Sequence, residues 1–173
     1  MAYHADSTDL NTKDVLTWQG FGDAVRQQAQ TIADSGFQPD LIIGVARGGL
    51  VPAGALSYAM GVKLIDAVNV EFYTDVHETL PDPVLLAPML DVDSIRGRKV
   101  LVVDDVADSG RTLALVLELL SGFGADCRSA VIYSKPRSIV EPDYIWKSTD
   151  EWIVFPWSDQ PPVVASGADA QDS

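Results

Sequence analysis

The chain has 173 residues, 47% of them hydrophobic, and a formal net charge of −13. This length and apolar content are typical of one globular domain, whereas the acidity excludes a nucleic-acid surface, which needs clustered lysine and arginine. Its single cysteine, Cys127, excludes an internal disulfide and favours a reducing compartment. Residues 1–6 have no basic n-region and no apolar h-region of a secretory signal, and the apolar runs are too short to span a bilayer, so we expect a soluble, cytoplasmic protein.

The first half of the chain alternates helix and strand signals. Thr17 is the expected N-cap of a first helix that stops at Gly36. The apolar face of this helix is expected to comprise Phe21, Val25, Ala29, Ile32 and Ala33. A buried strand over residues 41–45, a helix over 50–60 and a strand over 62–72 are predicted to follow.

The second half continues this pattern after a long interruption. Residues 73–98 contain three prolines and no sustained period, which predicts a mobile lid. We then expect a central strand over 99–103, a helix over 112–120 and a strand over 128–133. The aromatic-rich residues 144–162 are predicted to form a small hood over the carboxyl edge of the sheet. This order predicts the α/β class, with a mostly parallel central sheet flanked by helices.

The two ends of the chain differ from the rest in composition. Residues 1–12 and 163–173 are small, polar or acidic, and we expect them to be frayed. The sequence between them contains no internal repeat. We therefore predict a single domain over residues 1–173, which includes the lid and the hood.

The most informative motif follows the strand predicted over 99–103. Its apolar residues lead directly into two adjacent carboxylates, Asp104 and Asp105. Desolvating a carboxylate is costly unless it is paired, so this pair is expected at the open carboxyl edge of the sheet, where α/β proteins bind ligands. The residues of the following loop are Asp108, Ser109, Gly110, Arg111 and Thr112. Their backbone N–H groups and two hydroxyls could surround an anion at a helix start. A surface turn with helix caps would explain one hydroxyl residue, but not the aspartates as well.

A second candidate anion site is the run Arg47-Gly48-Gly49, which follows a predicted strand and opens a predicted helix. The glycines allow a ligand to approach the backbone, and the guanidinium offers a planar set of donors suited to phosphate. Glycines at such turns often serve geometry alone, and for this motif by itself that alternative stays open. Two anion sites at neighbouring strand ends would suit a substrate with phosphate groups at both ends.

The acid pair and its loop resemble the signature of the type I phosphoribosyltransferases, which bind 5-phosphoribosyl-1-pyrophosphate (PRPP). The resemblance implies that Asp104 and Asp105 contact the ribose hydroxyls and that residues 108–112 hold the 5-phosphate. The run Ala46, Arg47, Gly48 and Gly49 resembles the pyrophosphate loop of the family, with a cis peptide bond expected at Ala46–Arg47. Arg111 departs from the small residue expected at its position, and we expect its side chain to point into solvent.

Three further residues resemble the base site of the 6-oxopurine branch of this family. By this resemblance Lys135 donates to the 6-oxo group, Trp152 stacks on the purine, and the backbone of Ile153 contacts the edge of the base. Asp108 is then placed to accept or share the N7 proton as N9 attacks C1 of the ribose. The structural alternatives are a solvated lysine and core packing of the tryptophans, and for Trp157 we favour core packing.

The resemblance covers residues from about 17 to 161 and is greatest to the short bacterial xanthine-guanine enzymes. It implies a homo-oligomer, dimer or tetramer, that joins hypoxanthine, guanine or xanthine to PRPP. Mg²⁺ would be held mainly by the substrate, with Asp104 and Asp105 as candidate ligands. Tyr73 resembles the lid residue that shields the reaction from water, although Phe72 stands where the family often has serine. The alternatives are a PRPP-sensing regulator without turnover and a phosphoribosyltransferase for another base.

Overall fold

The structure is a computed structural model that describes residues 13–72, 83–85 and 95–163. Tyr73, most of the predicted lid and almost all of the two predicted frayed ends lie outside these residues. Within the described part of the chain, no helix has the length and apolarity needed to cross a membrane.

The described residues form eight strands and three helices, numbered here in chain order. The strands are β1 Lys13–Val15, β2 Leu41–Ala46, β3 Ile65–Phe72, β4 Pro83–Leu85, β5 Lys99–Ala107, β6 Asp126–Ser134, β7 Tyr144–Ser148 and β8 Trp152–Val154. The helices are α1 Trp18–Asp34, α2 Leu50–Met60 and α3 Arg111–Gly122. By compactness the chain divides into a large unit, Gly22–Asp150, and a smaller unit formed by both flanking segments.

The large unit contains a six-stranded sheet with the order β4-β3-β2-β5-β6-β7. All neighbouring strands are parallel except β3 and β4, which pair antiparallel. The helices α2 and α3 connect parallel strands, as expected for crossover connections. The prediction of an α/β protein with a mostly parallel sheet is confirmed.

Glycines and a cap fix the predicted helix ends. The Thr17 hydroxyl accepts the N–H of Gly20 at 3.0 Å, as an N-cap does. Gly36, just after α1, has a φ of +77°, and Gly61, just after α2, has a φ of +70°. Glycine adopts this left-handed conformation without the penalty that a Cβ imposes, so both helices stop there.

Gln28 takes the place expected for Ala33 on the buried face of α1. Ala33 is exposed, so its predicted core position is wrong, whereas Gln28 is buried. The buried stripe runs through positions 21, 25, 28 and 32, and Ala33 lies at its margin. The Gln28 side-chain amide donates to the carbonyls of Val131 and Tyr144, at 2.8 and 3.3 Å, which ties α1 to β6 and β7.

The core of the large unit lies on both faces of the sheet. On one face Ile43 of β2 and Val102 of β5, which are paired in register, pack with buried residues of α3. The α3 residues in this cluster are Leu113, Val116 and Leu120. On the opposite face a Cβ built on Gly44 would lie 3.0 Å from the Cβ of Ala53, so α2 packs closely against the backbone of β2.

Strand β5 is longer than the sequence predicts, and the predicted hood begins with a strand of the main sheet. The predicted end of β5 at Val103 is wrong, because β6 continues to pair with β5 as far as Ala107 and Ser134. The two aspartates therefore lie inside the strand, at its sixth and seventh of nine residues. Residues 144–148, predicted as part of an appended hood, instead form β7, which pairs in parallel with β6 at the edge of the main sheet.

The segment predicted as a lid, residues 73–98, contains structured residues as well. Pro83–Leu85 form β4, which pairs with β3. Ile95 is fully buried in the core cluster, and the N–H of Gly97 donates to the carbonyl of Gly124 at 2.9 Å. The predicted lid boundary at Arg98 is therefore wrong, because the chain has already joined the core at Ile95.

The smaller unit has its own aromatic cluster. Strands β1 and β8 pair in parallel, and the Trp157 ring stacks on Phe155 with centroids 4.9 Å apart. The centroid of the Trp157 ring also lies 5.2 Å from that of Phe21 and 6.1 Å from that of Trp18. The favoured core role of Trp157 is thus confirmed.

Replacing Ile95 with alanine tests its place in the core. We expect Ile95→Ala to lower the free energy of unfolding by about 2–5 kcal/mol, because it leaves a cavity among buried side chains. Urea unfolding followed by circular dichroism measures this change. Ile139→Ala, at a residue with 69% exposure, serves as the matched control and should change the free energy by less than about 0.5 kcal/mol. Equal losses of unfolding free energy in the two variants would contradict the place of Ile95 in the core.

Candidate functional site

The order of the strands places the carboxyl ends of β2 and β5 side by side. After β2 the chain proceeds to β3 on one side, and it later returns to form β5 on the other side of β2. The register pairs Gly44 with Val103, just before both strands enter the predicted site. In open α/β sheets, ligands bind outside the carboxyl ends of strands at such a switch point. The two predicted anion loops thus flank the position where a ligand is expected.

Gly48 and Gly49 bring the loop after β2 against β5. A Cβ on Gly48 would overlap the Asp105 carboxylate, and one on Gly49 would overlap the carbonyl oxygens of Val103 and Val45. Both positions therefore require glycine for close approach. The Ala46–Arg47 peptide bond is cis, as the family resemblance implied.

The same loop retains donors for an anion. The N–H groups of Gly49 and Leu50 donate to the carbonyls of Val45 and Arg47 at 2.8 and 3.1 Å. Among the described residues, no side chain caps α2 at its start. The exposed Arg47 guanidinium supplies donors at this turn, and Gly48 lies beside the Asp105 carboxylate.

Asp104 and Asp105 form a half-buried acid pair two residues before the end of β5. The N–H of Asp105 donates to Oδ1 of Asp104 at 2.9 Å. Burial raises the pKa of Asp104 well above its usual range, and the neighbouring charge of Asp105 raises this pKa further. A ligand that brings positive charge or hydroxyl donors to this pair would stabilise its ionised form.

The loop after β5 forms an open turn at the start of α3. Gly110 has a φ of +76°, and a Cβ there would overlap the Ser138 hydroxyl. Both the backbone conformation and the lack of space therefore require glycine at this position. No side chain in the described part of the structure caps this helix start. The N–H of Arg111 lies 3.4 Å from the Ser109 hydroxyl, a long contact that an anion could replace. The predicted phosphate loop therefore has suitable geometry.

Lys135 follows β6, and its side chain is buried, with 9% exposure. Its N–H donates to the carbonyl of Ala107, the residue before Asp108, at 3.0 Å. The alternative of a solvated surface lysine is therefore wrong. Lys135 lies one strand away from the acid pair, on the side of β5 opposite to the Arg47 loop.

Arg137 is a site residue that the sequence motifs do not predict. Its Nε and Nη2 atoms both donate to Oδ1 of Asp108, at 3.0 and 2.5 Å. Asp108 also raises the pKa of the Arg137 guanidinium, which keeps it charged. In the sequence, the feature that could have drawn attention to Arg137 is its position two residues after Lys135. Cations are scarce in this chain, with 12 lysine and arginine residues among 173.

Trp152 and Ile153 belong to β8 of the smaller unit. They pair in register with Lys13 and Asp14 of β1. The Trp152 side chain is 69% exposed, whereas Ile153 is half-buried. The exposure of the indole is compatible with stacking on a ligand, and the role of both residues in binding a base stays a prediction.

A cavity of about 670 Å³ lies elsewhere in the large unit. Residues from α1, from the segment before β2 and from the segment between α2 and β3 line it, including Phe37, Met60 and Lys63. It therefore lies at the amino ends of the strands and is separate from the loops described above.

The acid pair fits a metal ion that arrives with its substrate. Among the described residues, no group of three or more histidine, cysteine, aspartate or glutamate side chains could hold a metal. Two carboxylates at one strand end match Mg²⁺, which commonly takes one or two protein carboxylates and completes its shell with phosphates and water. Asp104 and Asp105 are the residues that would hold it.

The fold and the site first define a class, a parallel α/β protein with two anion loops and an acid pair at its switch point. Residues 11–161 match the family model described as a phosphoribosyl transferase domain. The chain belongs to this phosphoribosyltransferase family.

Two curated relatives and one solved structure agree with this assignment. The xanthine-guanine phosphoribosyltransferase of Gluconobacter oxydans (strain 621H) is 32% identical over 148 residues, which cover 84% of each chain. The enzyme of the same name from Cereibacter sphaeroides (strain ATCC 17025 / ATH 2.4.3) is 36% identical over 118 residues, 67% of each chain. The crystal structure of purine phosphoribosyltransferase from Pyrococcus horikoshii Ot3 has a TM-score of 0.76 and 36% identity, covering 90% of this chain and 99% of that chain.

The raised pKa of Asp104 predicts a pH-dependent stability difference. At pH values between the usual carboxyl pKa of about 4 and the raised pKa of Asp104 in the folded protein, the unfolded chain binds fewer protons than the folded chain. Asp104 therefore lowers the free energy of unfolding as the pH rises through this window. We expect Asp104→Asn to stabilise the unliganded protein by about 1–2 kcal/mol at pH 7, and by progressively less toward pH 4.

Urea unfolding of the wild type and of Asp104→Asn at several pH values measures the difference in their free energies of unfolding. Asp159→Asn, the same substitution at an exposed position, should stay within about 0.5 kcal/mol of the wild type throughout. A stabilisation by Asp104→Asn that does not vary with pH would contradict the electrostatic explanation.

Proposed function

We propose that this chain transfers the 5-phosphoribosyl group of PRPP to N9 of a 6-oxopurine and releases pyrophosphate, a reaction of purine salvage. The observation that carries this proposal is the acid pair, Asp104 and Asp105, at the switch point between two loops with anion donors. The names of the xanthine-guanine and purine relatives support a purine as acceptor.

PRPP would lie across the switch point. The backbone N–H groups of Arg47 and Gly48 and the Arg47 guanidinium would bind pyrophosphate, and residues 108–112 would bind the 5-phosphate. Asp104 and Asp105 would accept hydrogen bonds from the ribose hydroxyls between them. Because the chain carries a net charge of −13, it repels a polyanion at long range, and these local donors supply the attraction.

Mg²⁺ is a generally required cofactor of this family. When bound, it supplies charge neutralisation of the pyrophosphate group, and Asp104 and Asp105 are the residues that would hold it together with the substrate. Tyr73, the predicted shield against water, lies outside the described residues, and its role stays a prediction.

The chemical step exchanges one bond to the ribose for another. The bond between C1 of the ribose and the pyrophosphate oxygen breaks, and a bond from purine N9 to C1 forms. The proton that the purine loses goes from N7 to Asp108, whose carboxylate is half-exposed at the site. The carboxylates around the ribose also stabilise the positive charge that develops on the sugar ring.

The purine would be recognised through Lys135, Trp152 and Ile153. The ammonium group of Lys135 would donate to the 6-oxo oxygen, which adenine lacks. The exposed Trp152 indole would stack on the ring, an interaction worth about 1–3 kcal/mol in nucleobase sites. The backbone of Ile153 would contact the edge of the base.

A turnover assay with Mg²⁺, PRPP and single bases tests this function. We expect product with at least one of hypoxanthine, guanine and xanthine, and none with adenine, uracil or orotate. PRPP binding without turnover on any base would overturn the enzymatic proposal and favour a PRPP-sensing regulator. Turnover on a different base would overturn the assignment of the acceptor.

Asp108→Asn tests the proposed proton acceptor. Because an amide cannot accept the N7 proton, we expect kcat to fall by about 10²–10⁴-fold. PRPP affinity, measured by isothermal titration calorimetry, should stay nearly unchanged, because the backbone of the phosphate loop is intact. An unchanged kcat would remove Asp108 from this role.

Gly48→Ala tests the close approach of the pyrophosphate loop. The added methyl group would collide with the Asp105 carboxylate and displace the loop, so we expect PRPP affinity to fall by at least about tenfold. Gly54→Ala in α2 is the matched control, because its Cβ would meet nothing within 4 Å among the described residues. This control should bind PRPP as the wild type does, and equal affinities of all three proteins would contradict the loop assignment.

A further inference from the structure

The loop after β6 brackets Asp108 from both sides. The N–H of Lys135 donates to the carbonyl of Ala107 at 3.0 Å, and the N–H of Ile139 donates to the carbonyl of Ser109 at 2.9 Å. The residues immediately before and after Asp108 are therefore both bonded to this loop. Arg137 lies midway between the two bonding positions, opposite Asp108.

The loop itself is held in shape by short-range hydrogen bonds. The N–H of Ser138 donates to the carbonyl of Lys135 at 3.0 Å, and the Ser138 hydroxyl donates to the carbonyl of Val140 at 2.7 Å. Gly110 of the phosphate loop leaves room for that hydroxyl. The position of Arg137 is thus set by the backbone on both sides of it.

Arg137 binds one oxygen of the Asp108 carboxylate. Both of its donors, Nε and Nη2, point to Oδ1, at 3.0 and 2.5 Å. A carboxylate rotates broadly about its terminal torsion when it is unrestrained. Two charge-assisted hydrogen bonds to a single oxygen restrict this rotation and leave the acceptor capacity of Oδ2 for another partner.

We propose that Arg137 is a positioning residue for the transfer reaction: it holds Oδ1 of Asp108 so that Oδ2 faces N7 of the bound purine. This inference rests on the proposed role of Asp108 as proton acceptor. Proton transfer needs the acceptor within hydrogen-bond reach, so a carboxylate that rotates freely spends less time in the productive geometry.

The pair is too exposed to serve mainly as a stabilising contact. The side chains of Arg137 and Asp108 are 67% and 50% exposed. Ion pairs of this kind contribute little to stability because water and salt screen them. Loss of Arg137 should therefore leave the folded protein intact, and a loss of rate would reflect the chemistry of the site.

A double-mutant cycle with Arg137→Met and Asp108→Asn tests the inference. We expect Arg137→Met to lower kcat by about tenfold to a hundredfold while KM for PRPP stays within about twofold of the wild type. Arg137→Lys, which restores the charge but not the paired donors, should recover part of the rate. In the Asp108→Asn background, Arg137→Met should cause no further loss, because its effect passes through Asp108.

Lys63→Met is the matched control, since it also removes an exposed cation but lies at the amino edge of the sheet. It should keep the kcat of the wild type. Thermal unfolding of every variant verifies that the fold is retained.

Four results would overturn the inference. Independent, multiplicative losses in the double variant would show that Arg137 does not act through Asp108. A raised KM for PRPP with unchanged kcat would make Arg137 a phosphate ligand, and a faster Arg137→Met enzyme would make the pair inhibitory. If Asp108→Asn alone kept full activity, the proposed role of Asp108 would fail first, and the inference with it.

Discussion

The parallel pairing of β2 with β5 sets the relative positions of the loops that form the proposed site. The pairing runs from Leu41 and Val100 to Gly44 and Val103, and it aligns the ends of the two strands. Gly49 then approaches the carbonyl of Val103 so closely that no side chain fits. A shift in this register would separate the loop after β2 from the acid pair, and with it the two halves of the proposed PRPP site.

Strand β6 extends the same arrangement to the other side of β5. Because β6 pairs with β5 as far as Ala107, Lys135 emerges next to the phosphate loop. The loop that follows is bonded on both sides of Asp108 through Lys135 and Ile139. Lys135 and the proposed phosphate site are therefore joined by hydrogen bonds at the ends of two neighbouring strands, β5 and β6.

The acid pair illustrates how a binding site works against stability. Asp104 follows four fully buried residues of β5 and lies beside a second carboxylate, so both burial and charge raise its pKa. Such a pair is unfavourable in the unliganded protein, and the buried core beneath it offsets the cost. The stability gained elsewhere allows the site to keep charges whose favourable partners arrive with the ligand.

Local chemistry explains which parts of the fold the sequence could predict. The helix stop at Gly61 and the cap at Thr17 depend on the residues themselves, and both are observed. The length of β5 depends on pairing with β6, which no local pattern reveals. The place of residues 144–148 at the sheet edge also depends on pairing with β6, so their aromatic-rich sequence alone resembles an appended element.

The candidate site could be predicted to the extent that single motifs define it. Both anion loops and the acid pair follow from glycines, hydroxyls and carboxylates at strand ends, and the structure brings these motifs together in the large unit. Arg137 escaped prediction because its partner, Asp108, is 29 positions away in sequence. A salt bridge across two loops depends on tertiary structure, so a cation two residues after Lys135 does not by itself reveal its partner.

Competition for the PRPP site shows whether two anion loops flank one acid pair. Isothermal titration calorimetry in the presence of Mg²⁺ measures whether bound PRPP is displaced by pyrophosphate alone and by ribose 5-phosphate alone. We expect each compound to displace PRPP and both to occupy the protein together, because they bind to different loops. If either compound fails to compete with PRPP, the two loops do not form one PRPP site.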